Sequence, residues 1–125
     1  MIVVFYKDPD GSVPVKDWLE QEVAKRDIRI AAKCRVRIAL LKERGNSLRR
    51  PFADYLRDGI YELRIAFGRV NYRILYFFYG GGEVIVLTHA LTKEAEVPGK
   101  DIEIALQRKS LFESDPERHT YHETE

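Results

Sequence analysis

Two arginines, Arg64 and Arg73, are the first candidates for chemistry because they lie in the apolar segment YELRIAFGRVNYRILYFF, residues 61–78. Glycine at the first position of a two-residue turn favours a type II′ hairpin, and a turn at Gly68-Arg69 places Arg64 directly opposite Arg73. Like charges in directly opposite positions destabilise a sheet. We therefore expect either that nearby carboxylates neutralise the pair or that the pair binds an anion.

The two faces of this hairpin differ in polarity, since side chains alternate between faces along a strand. The first face is wholly apolar and is expected to pack under helices; it carries Leu63, Ile65, Phe67, Val70, Tyr72 and Ile74. The second face is mixed and is expected to be open to a ligand; it carries Glu62, Arg64, Ala66, Asn71, Arg73 and Leu75.

The next strand adds further candidates. Its alternation predicts one shared face for Ile85, Leu87, His89, Leu91 and Lys93. If that face matches the arginine face, the sheet presents Arg64, Arg73, His89 and Lys93 together.

These four side-chain types suit metal-free cleavage of RNA, in which the ribose 2′-hydroxyl attacks the adjacent phosphate. Two guanidiniums bind a phosphate through paired hydrogen bonds, a histidine transfers protons near neutral pH, and a lysine stabilises the charge that develops on the phosphorane. No Cys/His ligand spacing favours a metal, and no cofactor is expected. The alternative is structural: Arg64 pairs with Glu62 or Glu83, and His89 is a hydrogen-bonded sheet residue.

Positive charge is concentrated in one part of the chain, although the net charge of the 125 residues is only +1. Between Lys25 and Arg50 there are ten Lys and Arg residues against only Asp27 and Glu43. Such asymmetry indicates a basic face for an anionic partner. The candidates on the predicted helix are Lys33, Arg35, Arg37 and Arg44. A plain solvated helix surface remains the alternative.

Other classes of protein are disfavoured by the sequence. Cys34 is the only cysteine and falls among apolar helix positions, so we expect a buried structural thiol and a reducing compartment. No apolar stretch reaches the length of a membrane span. The first residues, MIVVFYKDPDG, have no basic region before the apolar run. We therefore predict a cytoplasmic protein with no membrane partner.

The elements that must position the candidate residues follow from periodicity. Short β-branched and aromatic runs and helical apolar stripes predict the order β-α-α-β-β-β-α. Strands joined by tight turns form an antiparallel-rich sheet, and helices packed against it give an α+β fold. We expect one domain over residues 1–112 and a polar, frayed C-terminal tail over residues 113–125.

Four motifs carry a family resemblance, and in chain order they are LRDGIYELRI, NYRILYFF, EVIVLTHALTKEAEVP and DIEIALQRKSLF. They resemble the HigB branch of the RelE/ParE superfamily, the toxins of type II toxin–antitoxin pairs, many of them found on phage and mobile elements. The resemblance covers about residues 54–112, and the first third of the chain agrees only in element order. It implies the small RelE-like sheet backed by helices.

The resemblance also implies a ribosome-dependent endoribonuclease, an mRNA interferase that inhibits translation and is silenced by a helix-turn-helix antitoxin. By motif, Arg64, Arg73, His89 and Lys93 take the catalytic positions. The segment HALTKE departs from the family pattern, because Leu91 replaces an aromatic residue and Glu94 replaces a second lysine. Two alternatives therefore stay open: a non-nucleolytic inhibitor of a protein target such as gyrase, as in ParE-like relatives, and a degenerate antitoxin-binding module.

Overall fold

The computed structural model describes residues 1–92 and 96–123. The strands are β1 (Ile2–Phe5), β2 (Ala53–Arg57), β3 (Ile60–Phe67), β4 (Val70–Tyr79) and β5 (Val84–Thr92). The helices are α1 (Pro14–Asp17), α2 (Ala24–Arg26), α3 (Ile28–Arg44) and α4 (Gly99–Ser114); a π-helical turn, Trp18–Val23, joins α1 to α2, and a 3-10 turn, Gly45–Ser47, follows α3.

All five strands form one mixed sheet in the order β1-β5-β4-β3-β2. β1 is parallel to β5, and every other neighbouring pair is antiparallel. The predicted α+β class is confirmed. The number of strands differs from the predicted order, which has four, because residues 53–57 form an additional strand, β2.

The β3–β4 hairpin has the predicted register. Phe67 pairs with Val70 and Arg64 pairs with Arg73. Gly68 has a positive φ of +63° and Arg69 does not have a positive φ. A type II′ turn requires this combination at its two central positions. The turn therefore places the two arginines directly opposite each other.

Helices cover both faces of the sheet. One core cluster lies beneath α3 and the helical residues 14–26. On the sheet it contains Leu63, Ile65, Tyr72, Ile74, Ile85 and Leu87. The other face packs against α4 through a second cluster that includes Leu75, Phe77, Val86, Ala105 and Phe112. The apolar face of the hairpin thus lies under helices as predicted, but the opposite face is partly covered as well.

α3 is the longest helix and carries most of the basic segment. The Asp27 carboxylate accepts a hydrogen bond from the Arg29 backbone N–H at 2.9 Å and caps its start. Gly45, with a φ of +55°, ends it as the sequence predicts. Cys34 is fully buried in the core beneath this helix, as expected, and burial raises the pKa of its thiol to about 11.

The polar segment after α4 was expected to be frayed, but its residues 115–121 pack against β1. His119 is buried and stacks on Tyr6 with ring centroids 5.6 Å apart. The His119 Nδ1 donates to the Lys7 carbonyl at 2.8 Å, and the Tyr121 N–H donates to the Phe5 carbonyl at 2.9 Å. The segment therefore covers the outer edge of β1.

Candidate functional site

The opposed arginines share one buried carboxylate. Arg73 Nη1 donates to Glu62 Oε1 at 2.9 Å and to Oε2 at 2.8 Å, and Arg64 Nε also donates to Oε1. Glu62 is only 1% exposed and Arg73 only 5%. Of the two expectations for the pair, the structural one is therefore met, because Glu62 reduces the repulsion between the two guanidiniums.

The expectation of an open arginine face is wrong for Glu62 and Arg73. α4 packs across β5, β4 and β3 on this side of the sheet, and both residues are almost fully buried. Of Glu62, Arg64 and Arg73, only Arg64 is partly exposed, with 30% of its side chain accessible. Tertiary packing of a helix that lies far along the chain cannot be read from the alternation within a hairpin.

Beside Arg64 the structure has a cleft of about 230 Å³ between β2, β3 and the start of α4, which we call the arginine cleft. Exposed Tyr55 of β2 and Ile102 of α4 line it. Its positive groups are Arg50, Arg57, Arg64 and Arg73, and its carboxylates are Asp54, Glu62 and Glu96. Phosphate binding by clustered guanidiniums is the chemistry that such a lining favours.

Ion pairs fix several of these groups in place. Both Arg50 Nε and Nη2 donate to Asp54 Oδ2, at 3.0 and 2.6 Å. The hydrogen bond from Arg50 lowers the pKa of Asp54 below its usual range. Arg57 bonds to Asp58 at 2.8 Å and to Glu103 at 2.7 Å. The cleft therefore has ordered, charged walls and not a set of free cations.

His89 is held between two residues of α4. Arg108 Nη1 lies 3.1 Å from His89 Nδ1, and Asp101 Oδ1 lies 2.8 Å from Nε2. A guanidinium can only donate, so Nδ1 accepts and a neutral imidazole donates from Nε2 to Asp101. Burial lowers the pKa of His89; the Arg108 charge adds to this effect and Asp101 opposes it.

A β-bulge changes the predicted face of His89. Tyr76 pairs with Leu87 but Leu75 pairs with His89, so Thr88 is the extra residue. Consequently Leu87 lies on the α3 side of the sheet, together with Ile85, while His89 lies on the α4 side with Leu91. The predicted common face for these four residues is therefore wrong.

The bulge nevertheless brings His89 onto the same face as Arg64 and Arg73. His89 contacts α4 there and does not belong to the lining of the arginine cleft. Lys93, the fourth predicted catalytic residue, lies outside the described residues, as does Glu94.

The predicted basic residues of α3 do not form one surface. Lys33 donates to the Ala66 carbonyl and Arg37 donates to the Arg64 carbonyl, at 3.0 Å for Arg37. At 100° per residue, Arg44 lies on the same stripe as these two. Arg35 lies on the other side of the helix, 3.9 Å from Glu20.

Sequence reasoning did not find the contribution of β2 to the cleft. The residues concerned are Asp54, Tyr55 and Arg57 of β2, together with Arg50 just before the strand. A usable signal was present, because the segment ADYLR stands directly before the turn dipeptide Asp58-Gly59 and a second strand follows that turn. Both turn residues have positive φ, +51° and +83°, which is typical of a two-residue hairpin turn.

In the described part of the chain, no helix combines the length and the apolar character that a bilayer span requires. Nor do three or more His, Cys, Asp or Glu side chains gather there as metal ligands would.

The sequence matches the family described as "Phage derived protein Gp49-like (DUF891)" over residues 21–110. The chain belongs to this family, a phage-derived one within the RelE/HigB-like toxin group of toxin–antitoxin systems. The matched range contains α3, the arginine hairpin and most of α4. Membership implies an antitoxin partner. A comparison with curated proteins found no match.

Proposed function

We propose that the protein is the toxin of a type II toxin–antitoxin pair and that it cleaves messenger RNA in the ribosome, which inhibits translation. The observation that carries this proposal is the arginine cleft beside Tyr55. It combines guanidiniums for phosphates with an exposed aromatic ring, the pairing that single-stranded RNA binding uses. The HigB-like motifs and the family assignment support the same activity.

Arg64 is the proposed contact to the scissile phosphate. Its Nε is engaged by Glu62, and within residues 1–92 and 96–123 its Nη atoms have no hydrogen-bonded partner. Glu62 and Arg73 would hold the Arg64 side chain in one orientation, as buried partners of a binding group commonly do. Arg50 and Arg57 would contact neighbouring phosphates, and Tyr55, 52% exposed, would stack on a base.

The proposed reaction is transesterification within the RNA. The 2′-hydroxyl loses its proton to a base and attacks phosphorus, and the 5′-oxygen of the next nucleotide leaves with a proton, which gives a 2′,3′-cyclic phosphate and a 5′-hydroxyl. Arg64 would stabilise the extra charge of the phosphorane. The carboxylate of Glu96 lines the cleft and would take up the proton. Asp54 also lines the cleft but is a weaker base, because the hydrogen bond from Arg50 lowers its pKa.

His89 and Lys93 keep their proposed catalytic roles only through the resemblance. His89 would have to release Asp101 or Arg108 before it could transfer a proton, since both ring nitrogens are bonded. Lys93 would supply positive charge near the phosphate. On α3, Lys33, Arg37 and Arg44 would bind ribosomal phosphates, and Arg35 would do so from the other side of the helix.

A second candidate function is binding without cleavage. The carboxylate of Glu62 occupies the position between the two arginines where a phosphate would otherwise bind. That arrangement favours an inhibitor that binds a protein target, such as a ParE-like toxin, or a module that binds only the antitoxin.

The deciding experiment is to add purified protein to translating ribosomes and map the 5′ ends of the mRNA. We expect new ends within the ribosome-covered region for the wild type, strongly reduced for Arg64→Ala and unchanged for Arg118→Ala, whose side chain is exposed outside the cleft. Translation arrest without new mRNA ends would support the second candidate and overturn cleavage.

A further inference from the structure

The outer side of α3 exposes apolar residues that the sheet does not use. Ile28, Ala32, Val36 and Ala39 follow one another at helical spacing, and all four are exposed. Ile28 is 70% and Val36 67% exposed, the two largest values among the exposed large hydrophobic residues. A contiguous exposed apolar surface of this kind marks an interaction site.

This surface continues into a groove of about 300 Å³ between α3 and β1. Its floor is apolar and consists of Val3, Phe5, Ile38 and Ala39, while Arg35 and Lys42 form its charged rim. We call the exposed stripe and this groove together the α3 seam. The two cations of the seam lie on the β1 side of the stripe, and Glu43 lies near its far end.

The α3 seam shares Arg35 with the proposed RNA surface and is otherwise separate from it. Lys33 and Arg37 lie on the side of α3 that contacts β3, and Lys33 and Arg29 lie over the Phe67 ring at the hairpin end. None of the residues lining the arginine cleft belongs to the seam. RNA binding therefore does not explain why apolar side chains are exposed here.

We propose that the α3 seam is the docking site for an amphipathic helix of the antitoxin, with apolar residues against α3 and carboxylates toward Arg35 and Lys42. The charge of the rim selects the partner, since the groove carries two cations and no carboxylate. Arg35 has only a loose contact with Glu20, 3.9 Å away at the surface, which an acidic partner can replace.

The spacing of the seam favours a helix over an extended segment. Ala32 and Ala39 lie seven residues apart, two turns of helix, and their small side chains allow the axis of a second helix to approach closely. Ile28 and Val36 flank these positions and would insert between the side chains of the partner. The inference rests on the toxin–antitoxin membership of the family and not on RNA cleavage.

The test measures binding of the antitoxin encoded beside the toxin gene, by calorimetry with purified proteins. We expect Val36→Glu, and separately the double variant Arg35→Glu/Lys42→Glu, each to raise the Kd about tenfold or more, because each puts an unpaired or repelling charge into the interface. The matched control is the double reversal Lys25→Glu/Arg118→Glu, at exposed positions outside the seam, which should leave the Kd unchanged.

Charge rescue makes the test specific. Antitoxin variants in which single carboxylates are replaced by lysine should recover affinity for Arg35→Glu/Lys42→Glu and lose it for the wild type. Thermal midpoints and mRNA cleavage by each free variant show whether the fold and the proposed activity are intact. An unchanged Kd in all seam variants, or a wild-type dimer that Val36→Glu dissociates, overturns the proposal.

Discussion

Arg73 directs one guanidinium nitrogen at both carboxylate oxygens of Glu62, at 2.9 and 2.8 Å, inside the sheet–α4 interface. Both side chains are almost fully buried. Forming such a pair adds little net stability because two ions lose their hydration, but removing one partner leaves an uncompensated buried charge. Arg73 is therefore a structural residue whatever part it takes in catalysis.

We expect Arg73→Ala to lower the free energy of unfolding by about 3 kcal/mol, the lower end of the cost of breaking a buried ion pair. Glu62 then loses both hydrogen bonds from Arg73 and keeps the one from Arg64. The double variant Glu62→Leu/Arg73→Met should recover much of that loss, because similar apolar volumes replace both ions. Urea unfolding of the wild type, the single variants and the double variant measures the coupling. Equal losses for the single and double variants would contradict a mutually compensating pair.

Arg64→Ala should separate function from stability. Its side chain is partly exposed, so we expect a stability change of at most about 1 kcal/mol. If Arg64 binds the scissile phosphate, cleavage should fall by about 10²–10³, as for the loss of one preorganised donor. Arg64→Lys should restore little, because an ammonium lacks the planar fork. Cleavage within twofold of the wild type in a folded Arg64→Ala protein would remove Arg64 from the site.

The hairpin could be predicted because its determinants are local. Gly68 fixes the turn, the turn fixes the register, and the register places Arg64 opposite Arg73. The α+β class followed in the same way from short strands joined by tight turns. In both cases short stretches of sequence were sufficient for the prediction.

The unpredicted features depend on contacts distant in sequence. The bulge at Thr88 puts His89 against α4, where Asp101 and Arg108 bond to it. β2 is the exception, because it pairs with β3 across the local turn Asp58-Gly59 and was nevertheless not predicted. It supplies Tyr55 and three further residues to the cleft lining. Charge counting placed Arg35 with the basic stripe, but helix geometry places it in the α3 seam.

Stability should fall in mild acid because of His89. Its pKa in the folded protein lies below the ordinary value of 6.5, so the unfolded chain takes up a proton first as pH falls. The contribution of neutral His89 is therefore complete above about pH 6.5 and is lost as pH falls through the folded-state pKa. Thermal midpoints measured between pH 5 and 8 should decline less toward acid for His89→Gln than for the wild type.

The same variant tests a catalytic histidine. If His89 only holds α4 through Asp101 and Arg108, cleavage by His89→Gln should keep the wild-type pH profile at temperatures where the variant is folded. Loss of one limb of a bell-shaped profile would instead identify His89 as a proton-transfer group.

Cys34 should be unreactive in the folded protein. The thiol is fully buried and its pKa is about 11, so thiolate is scarce and reagents cannot reach it. At pH 8 we expect a disulfide reagent to label the native protein only as fast as the structure opens around Cys34. The same reagent should label the denatured protein immediately. Rapid labelling of the native protein, with an unchanged thermal midpoint, would indicate an open path to the core beneath α3.

RNA affinity should depend on salt through one side of α3. Each phosphate neutralised by Lys or Arg contributes about 0.7–0.9 to the slope of log K against log salt, because bound counterions are released. Arg44 is exposed on the same stripe as Lys33 and Arg37, and its substitution should not disturb the core. We therefore expect Arg44→Gln to weaken ribosome binding and to reduce the slope by about that amount.

Arg35→Gln is the matched change on the opposite side of the helix, and it should leave the slope unchanged if Arg35 binds the antitoxin and not the ribosome. Binding titrations of each variant to ribosomes over a salt series measure both slopes. Equal reductions for the two variants would return Arg35 to the RNA surface, and no reduction in either would make the stripe a solvated helix face.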